Sequence, residues 1–76
     1  MIDLAAMRRA IGLTQTELAV NLGVGQAHIS KVERQDDMLI STLASYLKAL
    51  GVTASLVVEV GKQTVTYDLT AERGAR

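Results

Sequence analysis

The 76-residue chain contains no cysteine, proline, tryptophan or phenylalanine, and it has a single histidine. The missing cysteines exclude disulfides and thiolate zinc sites. One histidine, His28, is too little for the usual ligand set of a structural metal site, so we expect no metal and no cofactor. A chain this short builds a small core of marginal stability, which leaves oligomerisation as the remaining means of stabilising it.

Long apolar runs and an excess of one charge are also missing. No stretch is long enough to cross a membrane, and the N-terminus lacks the basic start and apolar stretch of a signal peptide, so we expect a cytoplasmic protein. Eight basic residues balance eight acidic ones, which does not by itself indicate nucleic acid. Enzymatic activity is not expected, because His28 has no acidic partner at catalytic spacing and no glycine-rich phosphate loop follows a strand.

Helical periodicity dominates the chain before Gly51 and predicts four helices, over residues 3–11, 15–22, 26–34 and about 38–50. Asp3 is the expected N-cap of the first helix, and Asp37 is the expected N-cap of the fourth. The inward face of the fourth helix is expected to carry Leu39, Leu43, Tyr46, Leu47 and Leu50.

The second and third predicted helices lie close together in the sequence. Thr14 and Glu17 match a capping box at the start of the second helix. Ala19 is small where two helices approach each other, and Gly23 can adopt the positive φ of a tight turn. Two short helices joined by such a turn are the sequence form of a helix-turn-helix, in which the second helix of the pair presents side chains to DNA bases.

The segment 13–32 resembles the helix-turn-helix of the lambda-repressor-like, XRE family. Four positions fall at that family's spacing: Ala19, Gly23, Ile29 and Val32. Glutamines also begin the second and third predicted helices, as they do in phage repressor headpieces.

The resemblance implies roles for particular side chains. Gln26 contacts an adenine edge through both amide atoms, while Gln15 holds a phosphate and steadies Gln26. Ala27 touches a thymine methyl, and Lys31 reaches a base or a phosphate. The complete implied set of DNA contacts is Gln15, Thr16, Gly25, Gln26, Ala27, His28, Ser30, Lys31, Arg34 and Gln35. Read without the family, the two glutamines and the cations are ordinary solvated surface residues.

The same resemblance implies an ion pair between Arg8 and Glu33 that orients the recognition helix. Arg8 lies on the first predicted helix, and Glu33 lies at the end of the third. If the pair is exposed instead, its contribution to stability is under about 1 kcal/mol.

After Gly51, β-branched residues alternate with polar ones and predict strands over 53–60 and 63–69, joined by a tight turn at Gly61-Lys62. A lone hairpin is marginal in water and must pack on helices or on another hairpin. We therefore expect a homodimer whose interface is formed by the alternating apolar residues Leu56, Val58, Val60, Val65, Tyr67 and Leu69.

The expected fold is thus mainly α: a lambda-repressor-like four-helix DNA-binding domain (residues 1–51), a C-terminal β-hairpin or strand for dimerisation (52–70) and a flexible tail (71–76). A helix ending in Tyr46-Leu-Lys-Ala-Leu-Gly51 before a valine-rich hairpin resembles HigA-type and HipB-type antitoxins. That resemblance implies a homodimeric repressor that binds an inverted-repeat operator in double-stranded DNA and also binds a cognate toxin. Two alternatives stay open: a stand-alone XRE-family regulator without a toxin, and a protein-interaction module that reuses the fold.

Overall fold

The computed structural model describes residues 2–71, which form four helices followed by a two-stranded antiparallel hairpin. The elements are α1 (Leu4–Ile11), α2 (Gln15–Leu22), α3 (Gln26–Arg34), α4 (Ile40–Leu50), β1 (Ser55–Val60) and β2 (Gln63–Asp68). The predicted mainly α fold with a C-terminal hairpin is confirmed. Within the described part of the chain, no helix is long and apolar enough to cross a membrane. Most of the predicted tail, residues 72–76, lies outside the described residues.

The first two helices have the N-cap residues that the sequence predicts, although α1 begins at Leu4, one residue after the predicted start. The carboxylate of Asp3 accepts a hydrogen bond from the amide of Ala6 at 3.0 Å. In the capping box, Thr14 Oγ1 accepts from the Glu17 amide at 3.0 Å, and Glu17 Oε1 accepts from the Thr14 amide at 2.9 Å. Gly23 ends α2 with φ +79°, a left-handed conformation that suits glycine and lets α3 start three residues later.

The start of α4 differs from the prediction. The helix begins at Ile40 rather than Met38, and its N-cap is Leu39, which makes no side-chain capping bond. Asp37 therefore does not cap α4, because it lies two residues before the cap. Met38 instead packs against the core. The backbone at Leu39 is extended, and the side chain of Leu39 points outward. Leu39 is 71% exposed, so the prediction that it faces inward is wrong.

The hydrophobic core is centred on α2, which packs against both α3 and α4. Leu18 and Ile29 are fully buried, and Asn21 on α2 donates a side-chain hydrogen bond to the carbonyl of Ala49 at 3.2 Å. Fully burying a large aliphatic side chain contributes about 1.5–3 kcal/mol. Among residues 2–71, the buried apolar residues are Leu4, Leu18, Ala19, Ile29, Val32, Tyr46, Leu47 and Leu50. Because Ile29 and Val32 anchor one face of α3, the opposite face of that helix is held outward.

The hairpin leaves the helical core after a short root. At the root, the amide of Leu69 donates to the carbonyl of Ala54 at 3.0 Å, and both side chains pack against the core. Beyond it, Leu56 pairs with Tyr67 and Val58 pairs with Val65, and every residue of the two strands is exposed. Leu69 lies just past the end of β2, so the predicted second strand is one residue too long. As the predicted alternation requires, one face of the hairpin is mainly apolar and the other is mainly polar.

Candidate nucleic-acid interface

The outward face of α3 brings together five of the residues expected to contact DNA. They lie within about 140° of arc around the helix, at 100° per residue. The five residues are Gln26, Ala27, Ser30, Lys31 and Arg34. The guanidinium of Arg34 donates to Ser30 Oγ at 2.6 Å, so these two side chains lie together one turn apart. Polar and small side chains on an exposed helix can enter a major groove and meet base edges there.

A buried ion pair lies behind this face. Arg8 Nε contacts Glu33 Oε2 at 2.6 Å, and Arg8 Nη2 contacts Glu33 Oε1 at 3.2 Å. Their side chains are only 8% and 5% exposed. Arg8 also donates from Nη1 to the carbonyl of Leu13 at 2.8 Å, just before the N-cap of α2. The pair therefore connects α1 to α3 and to the start of α2. Because it is buried, the alternative of an exposed pair that contributes little to stability does not apply.

Glu33 accepts hydrogen bonds from two further side chains. The phenol of Tyr46 on α4 donates to Glu33 Oε2 at 2.6 Å, and Gln15 Nε2 on α2 donates to Glu33 Oε1 at 2.9 Å. Arg8, Tyr46 and Gln15 thus satisfy one carboxylate from three different helices. No buried side-chain nitrogen or oxygen in the described part of the chain lacks a hydrogen-bond partner.

The ionisation of the cluster follows from these contacts. Burial acts to raise the pKa of Glu33, but the hydrogen bonds from Arg8, Tyr46 and Gln15 outweigh it and hold this pKa below its usual value. The hydrogen bond to Glu33 raises the pKa of the Arg8 guanidinium. Burial, followed by the bond to the carboxylate, raises the pKa of the Tyr46 phenol. At neutral pH, Glu33 is therefore an anion that can only accept hydrogen bonds.

The anionic Glu33 fixes the direction of a chain of side-chain amides. Because Glu33 cannot donate, Gln15 must turn its Nε2 toward the carboxylate and its Oε1 away from it. Gln15 Oε1 then accepts a hydrogen bond from Gln26 Nε2. Within the described part of the chain, this leaves the carbonyl oxygen of Gln26 and one of its side-chain N–H groups without a hydrogen-bond partner. Such an acceptor–donor pair matches the N6 donor and N7 acceptor of adenine in the major groove.

The remaining expected contacts lie around this centre. Thr16 is exposed on the first turn of α2, and Gly25 is the exposed N-cap of α3 without a side-chain capping bond. Gln35 is half-buried at the end of α3 and lines a cleft beside Met38. These residues border the outward face of α3 at its two ends and at the start of α2.

His28 lies away from the other expected DNA contacts. It lines a cleft between α3 and α4 together with Val24, Ser41 and Ser45. Its position is about 60° further around α3 than Lys31, outside the arc that holds the other side chains. The structure therefore does not bring His28 together with Gln26.

The sequence reasoning missed the polar role of Tyr46. This residue was expected only to face inward, and it is 1% exposed. A buried tyrosine hydroxyl usually needs a partner, so a lone tyrosine on a leucine-rich helix face was the available signal. Its partner, Glu33, is 13 residues earlier in the chain, and the sequence pattern does not specify that contact.

Exposed cations and the acidic residues that follow α3 lie at different places on the surface. Lys31 and Arg34 are exposed on α3, and Arg9 is exposed on α1. Asp36 and Asp37 are exposed in the loop that follows α3. The net charge of the whole chain is zero. Attraction to phosphate therefore depends on the exposed cations Lys31, Arg34 and Arg9 and not on the electrostatic potential of the protein as a whole.

Comparison with known proteins places this geometry in a family. A protein of Mycobacterium tuberculosis assigned as the antitoxin HigA3 is 41% identical over 71 residues, which are 90% of this chain. This chain spans only 63% of the length of that curated relative. The chain is also similar to a solved structure of DNA-bound antitoxin HigA3, with a TM-score of 0.80 and 38% identity over 96% of this chain and 95% of the other.

A second solved structure, described as induced DNA bending by unique dimerization of a HigA antitoxin, has a TM-score of 0.75 and 39% identity. The alignment covers 93% of this chain and 96% of the other. A family model described as helix-turn-helix matches residues 4–57, which include all four helices and the start of β1. The chain therefore belongs to the helix-turn-helix family.

Proposed function

We propose that this chain is a sequence-specific DNA-binding repressor, the antitoxin of a toxin–antitoxin system that represses its own operon. The observation that carries the proposal is the hydrogen-bonded series from buried Glu33 through Gln15 to Gln26. It presents an acceptor–donor pair of defined direction on the exposed face of α3. The similarity to DNA-bound antitoxin HigA3 over nearly the whole chain supports the same role.

The side chains divide into base-reading and phosphate-binding groups. Gln26 reads an adenine edge, and Ala27 lies against a neighbouring thymine methyl. Lys31 and Arg34 bind phosphate, which gives affinity without sequence preference and makes binding weaker as salt rises. Glu33 accepts from the amide of Gln15, and Arg8 holds Glu33 in place, so both are positioning residues that touch no DNA. No step in this role is enzymatic.

The proposed active form is a homodimer. Residues 1–51 form the DNA-binding unit, and residues 52–70 form the dimerisation element. A two-fold dimer places two copies of α3 at half-sites about 34–36 Å apart, one turn of the DNA helix, so the operator is an inverted repeat. The protein acts where the operator is, in the cytoplasm.

The DNA-binding part is tested by selecting binding sites from random duplex DNA with the wild type, Gln26→Ala and the control Val20→Ala, which changes an exposed side chain of α2. Wild type and the control should enrich the same inverted repeat. Gln26→Ala should lose preference at one base pair in each half-site, at a cost of about 1–3 kcal/mol. An equal loss of affinity on every sequence would contradict a base-reading role. No enrichment by the wild type at low salt would refute the DNA-binding proposal.

The toxin-binding part rests on the relatives and needs its own experiment. The gene beside this one is co-expressed with the tagged chain, and the purified material is examined for a second protein. A stable complex that relieves growth arrest supports the antitoxin role. Operator binding with no partner and no relief of toxicity favours the stand-alone repressor instead.

A further inference from the structure

The side-chain amide of Gln26 can point in two directions, and each direction offers different groups to DNA. Rotation about the last side-chain bond of a glutamine has two broad minima, which exchange the positions of the oxygen and the nitrogen. In the direction present here, Nε2 donates to Gln15 Oε1, so the carbonyl oxygen and one N–H can meet a base. In the reversed direction, Oε1 would accept from Gln15, and the NH2 group would offer two N–H donors.

The two directions of this amide distinguish adenine from guanine in the major groove. Adenine presents the N7 acceptor and the N6 donor, whereas guanine presents two acceptors, N7 and O6. The direction present here matches adenine, and on guanine it would place the carbonyl oxygen of Gln26 against an acceptor. The reversed direction matches guanine, and on adenine it would place an N–H against the N6 donor. The contact that fixes the direction of the amide therefore decides which purine is bound.

The direction of the amide is set by contacts inside the protein. Glu33 Oε1 accepts from Gln15 Nε2 at 2.9 Å, and the side chain of Glu33 is only 5% exposed. An anionic carboxylate has no hydrogen to donate, so it accepts from the NH2 group of Gln15 and would repel the carbonyl oxygen. Gln15 Oε1 consequently faces Gln26 and accepts from it. Reversing Gln26 alone would bring two carbonyl oxygens together and lose that hydrogen bond.

We propose that Glu33 is a positioning residue for base specificity, which acts through Gln15 to make Gln26 select adenine over guanine. This inference rests on the proposed base-reading role of Gln26, and it adds the residue that determines which purine is read. Glu33 is buried behind the outward face of α3, so its effect reaches the DNA only through the two amides. Gln15 transmits the direction of the buried carboxylate to the exposed amide of Gln26.

Donors from two other helices define what an amide at position 33 would do. Arg8 Nε contacts Glu33 Oε2 at 2.6 Å, and the hydroxyl of Tyr46 donates to the same oxygen at 2.6 Å. In Glu33→Gln, the new amide would therefore turn its oxygen toward these donors and its NH2 group toward Gln15. Gln15 would then turn its oxygen inward and its NH2 group toward Gln26. Glu33→Gln is thus expected to reverse both amides and to favour guanine.

The test measures Kd for two duplexes that differ only at the base pair read by Gln26. That base pair is the one at which Gln26→Ala loses preference, and the duplexes carry adenine or guanine there. A matched bidentate contact should give the wild type a preference for adenine of about 10-fold. Glu33→Gln should lower this preference by more than about threefold. Arg34→Ala is the control, because loss of a phosphate contact should weaken binding to both duplexes and keep the ratio of their Kd values.

The ratio of two Kd values separates specificity from stability. An unfolded fraction raises both apparent Kd values by the same factor and leaves their ratio unchanged. If Glu33→Gln is too unfolded to assay, the double variant Arg8→Met, Glu33→Gln takes its place, because it removes the buried cation that has lost its partner. Gln15→Met keeps both buried charges and removes the amide that links them to Gln26. It should also lower the preference for adenine by more than about threefold, because Gln26 can then adopt either direction.

The outcomes distinguish this inference from the proposed function. If the Glu33 variants keep the wild-type preference for adenine, the inference is overturned, while Gln26 remains the base-reading residue. That holds even if Gln15→Met loses the preference, because Glu33 would then not set the direction. A wild type that prefers guanine at this base pair would also overturn the inference, although operator binding would stand. If the wild type selects no DNA sequence, the proposed function fails and the inference fails with it. A lowered preference in both the Glu33 variant and Gln15→Met, with the wild-type ratio kept in Arg34→Ala, is the result that we expect.

Discussion

Replacing Tyr46 by Phe tests whether the Glu33 carboxylate depends on a donor from α4. The ring stays in place, so no cavity forms, and the change removes only the hydroxyl that donates to Glu33 Oε2 at 2.6 Å. A hydrogen bond to a charged group contributes about 1.5–3 kcal/mol, whereas a neutral one contributes about 1 kcal/mol. Arg8 and Gln15 still hold the carboxylate, so we expect Tyr46→Phe to lower the free energy of unfolding by about 2 kcal/mol.

The assay is urea unfolding of wild type, Tyr46→Phe and Tyr67→Phe at one protomer concentration. Tyr67 is the other tyrosine of the chain, and it is 51% exposed on the hairpin. Removing the Tyr67 hydroxyl in Tyr67→Phe should change the free energy of unfolding by no more than about 0.5 kcal/mol. Equal effects of the two substitutions would show that the buried hydrogen bond is not the source of the loss.

The effect of Tyr46→Phe should also depend on pH. The pKa of Glu33 is lowered in the folded protein, so its stabilising contribution is complete above the ordinary pKa of 4.5. That contribution is lost as the pH falls through the lowered folded value. Below that lowered value, the bond from Tyr46 acts on a neutral carboxyl, and the difference between Tyr46→Phe and wild type should shrink toward about 1 kcal/mol. A difference that stays the same from pH 7 down to the pH at which wild type has lost the contribution of Glu33 would refute the reasoning.

Three further substitutions have defined expectations. Thr14→Ala removes half of the capping box and should cost about 1 kcal/mol of unfolding free energy in a urea titration, while Thr16→Ala at the exposed first turn should cost under about 0.5 kcal/mol. Glu33→Gln leaves Arg8 as an unpaired buried cation and should cost about 3–5 kcal/mol at pH 7. Its unfolding free energy should fall less steeply than that of wild type below pH 4.5, and parallel curves would count against the ion pair as the acid-sensitive group. Arg34→Ala should weaken binding to all duplexes alike and lower the slope of log K against log salt by about one, whereas an unchanged slope would exclude a phosphate contact.

The helices and the turn between α2 and α3 could be predicted because their signals are local. Thr14 and Glu17 are three residues apart in the sequence. The positive φ of Gly23 is possible because the residue is glycine, and it does not depend on distant parts of the chain. The start of α4 could not be predicted in the same way. Asp37 has the side chain of a good N-cap, but the burial of Met38 sets where the chain turns and leaves the cap to Leu39.

The candidate site shows the same division between local and long-range information. The family spacing singles out Gln15, Gln26, Arg8 and Glu33, and these four side chains do meet in the structure. The hydrogen bond from Tyr46 to Glu33 depends on how α4 crosses α3. The spacing of apolar residues along either helix does not predict that crossing. The position of His28 follows from the rotation of α3 about its axis, because Ile29 and Val32 must both face the core.

The exposed face of α3 has two kinds of position with different freedom to change. Gln26 is linked through Gln15 to the buried carboxylate, so a substitution there disturbs a network that also holds four helices together. Ala27 and Lys31 make no such hydrogen bond among the described residues, and they can vary without changing the core. Under the proposed roles, duplicated copies of such a gene can therefore diverge in operator choice by altering Ala27, the proposed thymine contact, while keeping one stable scaffold. Several such regulators can then share one cell, each restricted to its own promoter.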